Sequence, residues 1–143
     1  MPASSGMTGA FLALVVLTAA TVFGLRWQAR RGRFTAAAST APTALDGLGI
    51  RPGAVTLLQF SSRICAPCRA TSRLLADIAG THPAVEHLEI DVEAHLAAVR
   101  ALDVRRTPTL FVLDRGGNVV VRASGLPARA DVESALQPLL TAA

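Results

Sequence analysis

Two cysteines that lie three residues apart are the groups in this chain best suited to covalent chemistry. Cys65 and Cys68 are the only cysteines in 143 residues, so a disulfide within the chain must join one to the other. They stand between a strand-like run and a helix-like run, which is typical of a dithiol redox centre. Residues three apart at a helix start have Cβ atoms about 5–6 Å apart, and a small adjustment reaches the separation of about 3.8 Å that a disulfide needs. The pair is therefore expected to open and close without a change of fold.

The two sulfurs are expected to play different parts in thiol–disulfide exchange. The reaction needs one exposed thiolate as nucleophile and a second thiol that resolves the mixed disulfide. Cys65 falls at a helix start, where the positive end of the helix dipole favours the thiolate, and Cys68 is the resolving thiol one turn further in. Residues 47–76 contain no acid, but they contain three arginines near the pair, Arg63, Arg69 and Arg73. Their field is expected to lower the pKa of Cys65 below the free value of about 8.5; the alternative is a solvated helix face that only aids solubility.

The elements that must position these cysteines follow from the hydrophobic periodicity. It predicts strands at 55–60, 85–91, 109–113 and 119–123. Helices are predicted at 67–79, at 94–102 and from about residue 131, with Gly80 ending the first and Pro138 ending or kinking the last. The order β-α-β-α-β-β-α predicts an α/β domain, in which helices cover both faces of a mixed sheet.

Two motifs at a characteristic distance resemble the thioredoxin fold. The first is the strand run 57–60 followed by the Cys65–Cys68 motif, and the second is the Thr-Pro-Thr sequence at 107–109. A predicted hairpin and Gly125 follow at the matching place. Residues 53–140 are thus similar to a thioredoxin-fold thiol–disulfide oxidoreductase, which implies a thioredoxin-like mixed sheet flanked by helices.

The resemblance implies a role for each residue that matches the family's motifs. Cys65 and Cys68 would form the redox-active disulfide, and Pro108 would be a cis-proline that packs beside it. The backbone of Thr107 would pair with an extended substrate chain. Ile64 stands where thioredoxins usually have tryptophan, just before the first cysteine, and is assigned to substrate binding. From the residues alone, Pro108 also fits an ordinary proline at the start of a strand.

Two positions depart from the family's pattern in a way that bears on proton transfer. Gln59 takes the place of a buried aspartate six residues ahead of the first cysteine, and His87 falls where a lysine commonly pairs with that aspartate. Because glutamine cannot titrate, we hypothesise that water or His87 takes the proton from the resolving cysteine. Gln59 and His87 join Arg63 and Arg69 as candidates for tuning the pKa of the thiols. The alternative for His87 is a strand histidine on the solvent face.

The dithiol predicts an enzyme that exchanges electrons with protein thiols and disulfides. It would need no cofactor beyond the Cys65–Cys68 disulfide and no metal, and a partner reductase or oxidase would recharge it. Two alternatives stay open. The spacing from the cysteines to His82 and His87 fits a Cys2His2 zinc module, although Pro83 and the strand-like pattern after it keep the histidines off a common helix face. The other alternative is a thioredoxin-shaped tethering domain without turnover.

An apolar segment before this domain predicts a membrane anchor. The first 25 residues contain no charged side chain, and residues 8–27 can cross a hydrocarbon core of about 30 Å at about 1.5 Å per residue. A cleavable signal is the alternative, but residues 2–8 lack a basic n-region and the apolar run exceeds a typical h-region. The predicted division is a tail at 1–7, an anchor at 8–27, a basic segment and linker at 28–43, and the thioredoxin-like domain at 44–143.

The net charge of +4 comes from the arginines that immediately follow the apolar run. Four of the 14 basic residues are Arg26, Arg30, Arg31 and Arg33, whereas the other ten face ten acids. Such a cluster suits anionic lipid headgroups rather than nucleic acid. By the positive-inside rule it holds the domain in the cytoplasm of a single-pass cell-membrane protein, with the extracytoplasmic face as the alternative. A cytoplasmic domain would keep its thiols mostly reduced and would act as a reductase.

Overall fold

The computed structural model describes residues 4–29, 32–36 and 45–141, and within the first range the side chains of 8–27. Met1–Arg30 and Arg31–Ala143 are separate compact units. Some sequence predictions fall on residues outside this description: residues 1–3 of the tail, Arg30 and Arg31 of the basic cluster, 37–43 of the linker, and residues 44, 142 and 143 of the domain.

The first unit contains one helix, α1, which runs from Ser4 to Ala29. Residues 4–7 of the predicted tail are part of this helix, since no helix-ending signal separates them from the apolar run. Within α1, Thr8–Trp27 is long and apolar enough to cross a membrane, a test that a signal sequence also passes. The hydroxyls of Thr18 and Thr21 each donate to a carbonyl four residues earlier at 2.8 Å. These bonds satisfy two polar groups within an otherwise apolar helix.

The second unit is built on a mixed five-stranded sheet. Its strands are β1 (Thr35–Ala36), β2 (Val55–Ser61), β3 (Val85–Asp91), β4 (Thr109–Leu113) and β5 (Val119–Ser124). Their order across the sheet is β1-β5-β4-β2-β3, with β2 and β3 parallel and the other neighbours antiparallel. The four longer strands lie where the hydrophobic pattern predicts them, and the predicted mixed α/β class is confirmed.

The described residues of this unit also form three helices, namely α2 (Ala66–Thr81), α3 (Leu96–Ala101) and α4 (Arg129–Thr141). The prediction that Gly80 ends α2 is wrong, because the helix continues to Thr81 and the His82 N–H donates to the Ala79 carbonyl as a cap. One glycine costs a helix only about 1 kcal/mol relative to alanine. The buried side chains of α2 therefore keep the helix regular through this position.

Pro138 does not end α4 either, since the helix extends three residues further. Proline removes one amide donor from the ladder, so the helical bond from residue 138 to the carbonyl of residue 134 is missing. Leu139 and Leu140 pack against the hydrophobic core and so hold the last turn in place.

Alternating side chains divide the core between the two faces of the sheet. On one face, Leu58, Phe60 and Phe111 pack with Ala98 and Leu102 from the α3 region. The other face is covered by α2 and α4, and its buried members are Val55, Leu57, Leu75, Ile78, Val85, Leu110, Val112, Val132 and Leu136. Helices thus cover both faces, as the element order predicts.

The first described residues of this unit belong to the folded domain, although the sequence predicts a linker there. Thr35 and Ala36 pair antiparallel with Arg122 and Val121 of β5, and Phe34 packs against the α2 and α4 face of the core. The linker prediction is therefore wrong for residues 34–36. A two-residue strand carries too little alternation to be recognised in a sequence rich in small residues.

Candidate active site

The cysteine motif lies at one end of the sheet, where β2 and β3 end and β4 begins. In the parallel pair, the last residue of β2, Ser61, is opposite Asp91 of β3. The antiparallel register places Phe60 opposite Thr109, the first residue of β4. Since β2 ends where β4 begins, the loop that carries the cysteines and the loop that precedes Thr109 share this edge.

Cys65 and Cys68 form a disulfide at the start of α2, with Cα atoms 5.2 Å apart. Cys65 is the N-cap of the helix, and its Sγ accepts a hydrogen bond from the Cys68 N–H at 3.1 Å. Pro67 occupies the first turn, where a missing amide costs no helical bond. Cys65 is 7% exposed and Cys68 is 2% exposed. Cys65 is therefore the sulfur that an incoming group meets first, and it lies where backbone N–H groups favour negative charge.

The loop before β4 supplies the second motif. The peptide bond between Thr107 and Pro108 is cis, in agreement with the expectation for Pro108. The Pro108 carbonyl accepts from the Gly125 N–H at 2.8 Å, and the hydroxyls of Ser62 and Thr107 are hydrogen-bonded at 3.1 Å. The first hydrogen bond connects the loop before β4 to the residue after β5, and the second connects it to the loop that carries the cysteines.

A groove begins between these loops and runs toward α3. It has a volume of about 310 Å³ and is lined by Ser62, Val92, Glu93, Leu96, Val99, Val104, Arg105, Arg106 and Thr107. Four of these nine side chains are apolar and three are charged, so the groove can accept an apolar group of a partner chain with polar groups beside it. Ile64 is 99% exposed in the cysteine loop. An apolar side chain held in water at this place gains free energy when a partner covers it.

Comparisons with known proteins agree with this geometry. The sequence model of the thioredoxin family matches residues 50–137, which is more than half of the chain. This chain belongs to the thioredoxin family.

The relatives that it resembles are thioredoxins. Thioredoxin H4-1 of Oryza sativa subsp. japonica is 33% identical over 69 residues, which are 48% of this chain and 53% of the relative. Thioredoxin-1 of Caenorhabditis elegans is 27% identical over 74 residues, which are 52% of this chain and 64% of the relative. The chain thus spans about half the length of the first curated relatives it matches.

Solved thioredoxins show the same fold. The thioredoxin of Fasciola hepatica superposes with a TM-score of 0.54 at 24% identity, covering 62% of this chain and 83% of that one. Oxidised mitochondrial thioredoxin 3 of Saccharomyces cerevisiae gives a TM-score of 0.53 at 19% identity, covering 59% of this chain and 78% of that one.

Gln59 lies beneath the cysteine turn of this thioredoxin-family domain and is fully buried. Its amide nitrogen donates to the Ser61 hydroxyl at 2.7 Å and to the Cys68 carbonyl at 3.0 Å. Its amide oxygen is 3.1 Å from Nε2 of His87, which donates because that oxygen can only accept. The buried amide is thus satisfied at both ends, and it holds the backbone of the resolving cysteine.

His87 contacts the site through Gln59 rather than through a sulfur. Burial lowers the pKa of His87 below its ordinary value, and the nearby Glu89 carboxylate opposes part of that change. The expectation of a histidine wholly on the solvent face is wrong, because the side chain is partly buried and faces the amide. His87 is therefore favoured in its neutral form and is placed to titrate below its usual range.

Glu89 is a residue of this region that the sequence analysis does not identify. One of its oxygens lies 3.4 Å from the Gln59 amide nitrogen, a longer third contact because the two amide protons serve the Ser61 and Cys68 acceptors, and the other oxygen accepts from the Ser72 hydroxyl of α2 at 2.8 Å. The sequence indicates Glu89 only through its position two residues after His87, which puts both side chains on the same face of a strand. Its position opposite Gln59 depends on the register of β2 and β3, which the sequence does not give.

The arginines near the cysteines are all exposed to solvent. Arg63 lies 3.8 Å from Asp91 and 4.0 Å from Glu93, at the limit of ion pairing. The acids at the end of β3, which are distant in sequence, therefore oppose part of the positive field of Arg63. Arg69 and Arg73 make no ion pair with any residue that the structure describes.

The residues considered for zinc lie far apart in the fold. The cysteines open α2, whereas His82 is the C-cap at the opposite end of the helix. A helix of 16 residues is about 24 Å long at about 1.5 Å per residue, a separation that a single ion cannot bridge. Nowhere in residues 4–29, 32–36 and 45–141 do three or more metal-binding side chains of His, Cys, Asp or Glu come together.

Proposed function

We propose that this chain is a thiol–disulfide oxidoreductase that exchanges electrons between the Cys65–Cys68 pair and protein disulfides. The observation that carries the proposal is the disulfide at the N-terminus of α2, beside a loop that contains a cis-proline. Thioredoxin-family proteins use such a disulfide as their redox group and need no external cofactor. A thiol or reductase of a partner protein would return the pair to its dithiol form.

The roles of the two cysteines follow from their positions. In the reduced protein, the Cys65 thiolate attacks a substrate disulfide, forms a mixed disulfide with one substrate sulfur and releases the other as a thiolate. Cys68 then loses its proton and attacks Cys65, which restores the Cys65–Cys68 bond and releases the second substrate sulfur. Two electrons pass to the substrate, and its thiolates take up two protons from the site and the solvent.

The loop at Pro108 and the groove beside it are the proposed substrate-binding surface. Among the residues that the structure describes, none forms a hydrogen bond with the backbone N–H or carbonyl of Thr107. This peptide group is free to pair with an extended segment of a substrate chain, in the manner of a strand added to an edge. Ile64 and the groove provide contacts for side chains on either side of the substrate cysteine.

Insulin reduction tests the activity with the full chain in detergent micelles. We expect precipitation of the insulin B chain with dithiothreitol as reductant, at a rate well above that of dithiothreitol alone. Cys65→Ser should abolish the enhancement, while Cys68→Ser should accumulate a mixed disulfide that mass spectrometry locates at Cys65. An equal rate with wild type and Cys65→Ser would contradict the proposal and favour a tethering domain without turnover.

We also propose that residues 8–27 anchor the domain of residues 44–143 in a cell membrane, with the domain on the cytoplasmic side. The support is the apolar Thr8–Trp27 segment of α1 and the arginines at and after its end, of which Arg26 and Arg33 are described. The basic charge of this region would then interact with anionic lipid headgroups. Labelling of intact cells with a membrane-impermeant maleimide tests this topology. Labelling of Cys65 without lysis would reverse the topology, and loss of the first residues from the mature protein would identify a signal sequence.

A further inference from the structure

The register of the parallel strands places a carboxylate next to the buried amide under the active site. Gln59 of β2 pairs with Glu89 of β3, so the two side chains lie side by side on the face that α2 covers. The Glu89 carboxylate reaches the Gln59 amide at 3.4 Å and accepts from Ser72 of α2 at 2.8 Å. It is thus joined both to the helix that carries the cysteines and, through Gln59, to the Cys68 carbonyl.

The other charged groups around Glu89 leave its negative charge largely uncompensated. On β3, the same face carries His87, which burial favours as a neutral ring, and Asp91, which lies 3.8 Å from Arg63. From β2, the neighbouring Gln59 and Ser61 are uncharged. The exposed Arg69 and Arg73 of α2 form no ion pair with Glu89 or with another residue in the described part of the chain.

We propose that Glu89 is a positioning residue that sets the reducing strength of the Cys65–Cys68 pair. Its carboxylate stands one strand away from the buried position that Gln59 fills without a charge, and its negative charge acts on the thiolate of the reduced pair from there. This inference rests on the proposed oxidoreductase function and deepens it.

The direction of the effect follows from the charge of the two redox states. The disulfide is uncharged, whereas the dithiol form ionises when Cys65 becomes a thiolate. The negative charge of the Glu89 carboxylate repels that of the Cys65 thiolate and therefore destabilises the ionised dithiol relative to the disulfide. A dithiol that is destabilised in this way gives up its electrons more readily, so Glu89 makes the pair a stronger reductant.

Redox equilibration with glutathione tests the proposal on the full chain in micelles. Glu89 is exposed to solvent. Glu89→Gln removes the charge and keeps the shape, so the equilibrium should move about threefold to fivefold toward the dithiol at pH 7, the upper range for the interaction of a solvent-exposed charge. A tenfold change corresponds to about 30 mV in reduction potential. Glu89→Ala should move the equilibrium in the same direction and provides a second uncharged variant.

Two matched variants separate the local charge from other causes. Glu89→Asp keeps the charge and should stay within about twofold of wild type, because the electrostatic effect survives a shorter side chain. Glu86→Gln removes a carboxylate from the same strand, where Glu86 pairs with Arg51 at 2.9 Å and bonds to Thr56, and should leave the equilibrium unchanged.

The inference is overturned if both uncharged variants equilibrate like wild type, if Glu89→Asp shifts as far as Glu89→Gln, or if Glu86→Gln produces the same shift. A wild-type chain that reduces insulin while Glu89→Gln shows no shift refutes the role of Glu89 alone. A wild-type chain that does not reduce insulin refutes the proposed function itself.

Discussion

Reduction of the Cys65–Cys68 disulfide should weaken the domain modestly without unfolding it. The cysteines are three positions apart, so the bond closes only residues 65–68. The chain-entropy relation for so short a loop gives a loss of about 6 cal/mol/K, or about 2 kcal/mol at 25 °C. Domains of this size have unfolding free energies of about 5–15 kcal/mol. Two packed core faces remain when the bond opens, which lets the pair cycle on a stable scaffold.

The assay is urea denaturation of the full chain in micelles, with and without dithiothreitol. The domain contains no tyrosine, and the single tryptophan, Trp27, lies in α1, so circular dichroism replaces fluorescence as the probe. We expect a cooperative urea transition in both states with a similar urea dependence. In a parallel thermal melt, the midpoint should be about 8 °C lower after reduction.

The double variant Cys65→Ser/Cys68→Ser is the control for this experiment. It should match the reduced wild type and should not respond to dithiothreitol. Loss of the cooperative transition on reduction would refute the reasoning, because the disulfide would then be a structural requirement and could not open during turnover.

Three further predictions concern the site. Burial lowers the pKa of His87. The stability that its neutral form contributes is therefore complete above its unfolded pKa of about 6.5 and is lost as the pH falls through the folded pKa. Urea titrations from pH 7.5 to 5 should show this loss in wild type and not in His87→Asn. Ile64→Ser should lower kcat/KM for insulin about tenfold, because a covered isoleucine contributes about 1.5 kcal/mol or more, and should leave the reduction of a small aromatic disulfide unchanged. Gln59→Asp should lower the unfolding free energy at pH 7 by about 3–4 kcal/mol, because burial beside Glu89 raises the pKa of the new carboxyl by about two to three units. Urea titration at pH 5, where more of this carboxyl is protonated, should show a much smaller loss of unfolding free energy.

The long strands and the cysteine site were predictable because their signals are local. The run from Val55 to Phe60 is apolar and precedes a helix start with two cysteines, and the hairpin between β4 and β5 has a turn rich in glycine. These features are determined within a few residues, and the thioredoxin-like motifs add the distance between them. The cis peptide bond at Pro108 follows only from the resemblance, because a proline at a strand start is compatible with either isomer.

The errors arise where packing overrides a local signal or where distant residues meet. Gly80 and Pro138 are helix-ending residues in sequence, yet buried neighbours on α2 and α4 carry each helix past them. The strand at Thr35–Ala36 exists because β5 offers an edge for pairing. Glu89 joins the site only through the register of β2 and β3, which the sequence of either strand alone does not fix.

Alkylation of the reduced chain across a range of pH tests most directly whether Cys65 is an activated thiolate at the start of α2. In the Cys68→Ser variant, the rate of reaction with iodoacetamide reports on Cys65 alone, and mass spectrometry identifies the modified residue. We predict half-maximal reactivity at a pH below the free-thiol pKa of about 8.5, because the N-terminal amides of the helix stabilise the anion. Half-maximal reactivity at or above that pH would contradict the assignment of Cys65 as the nucleophile.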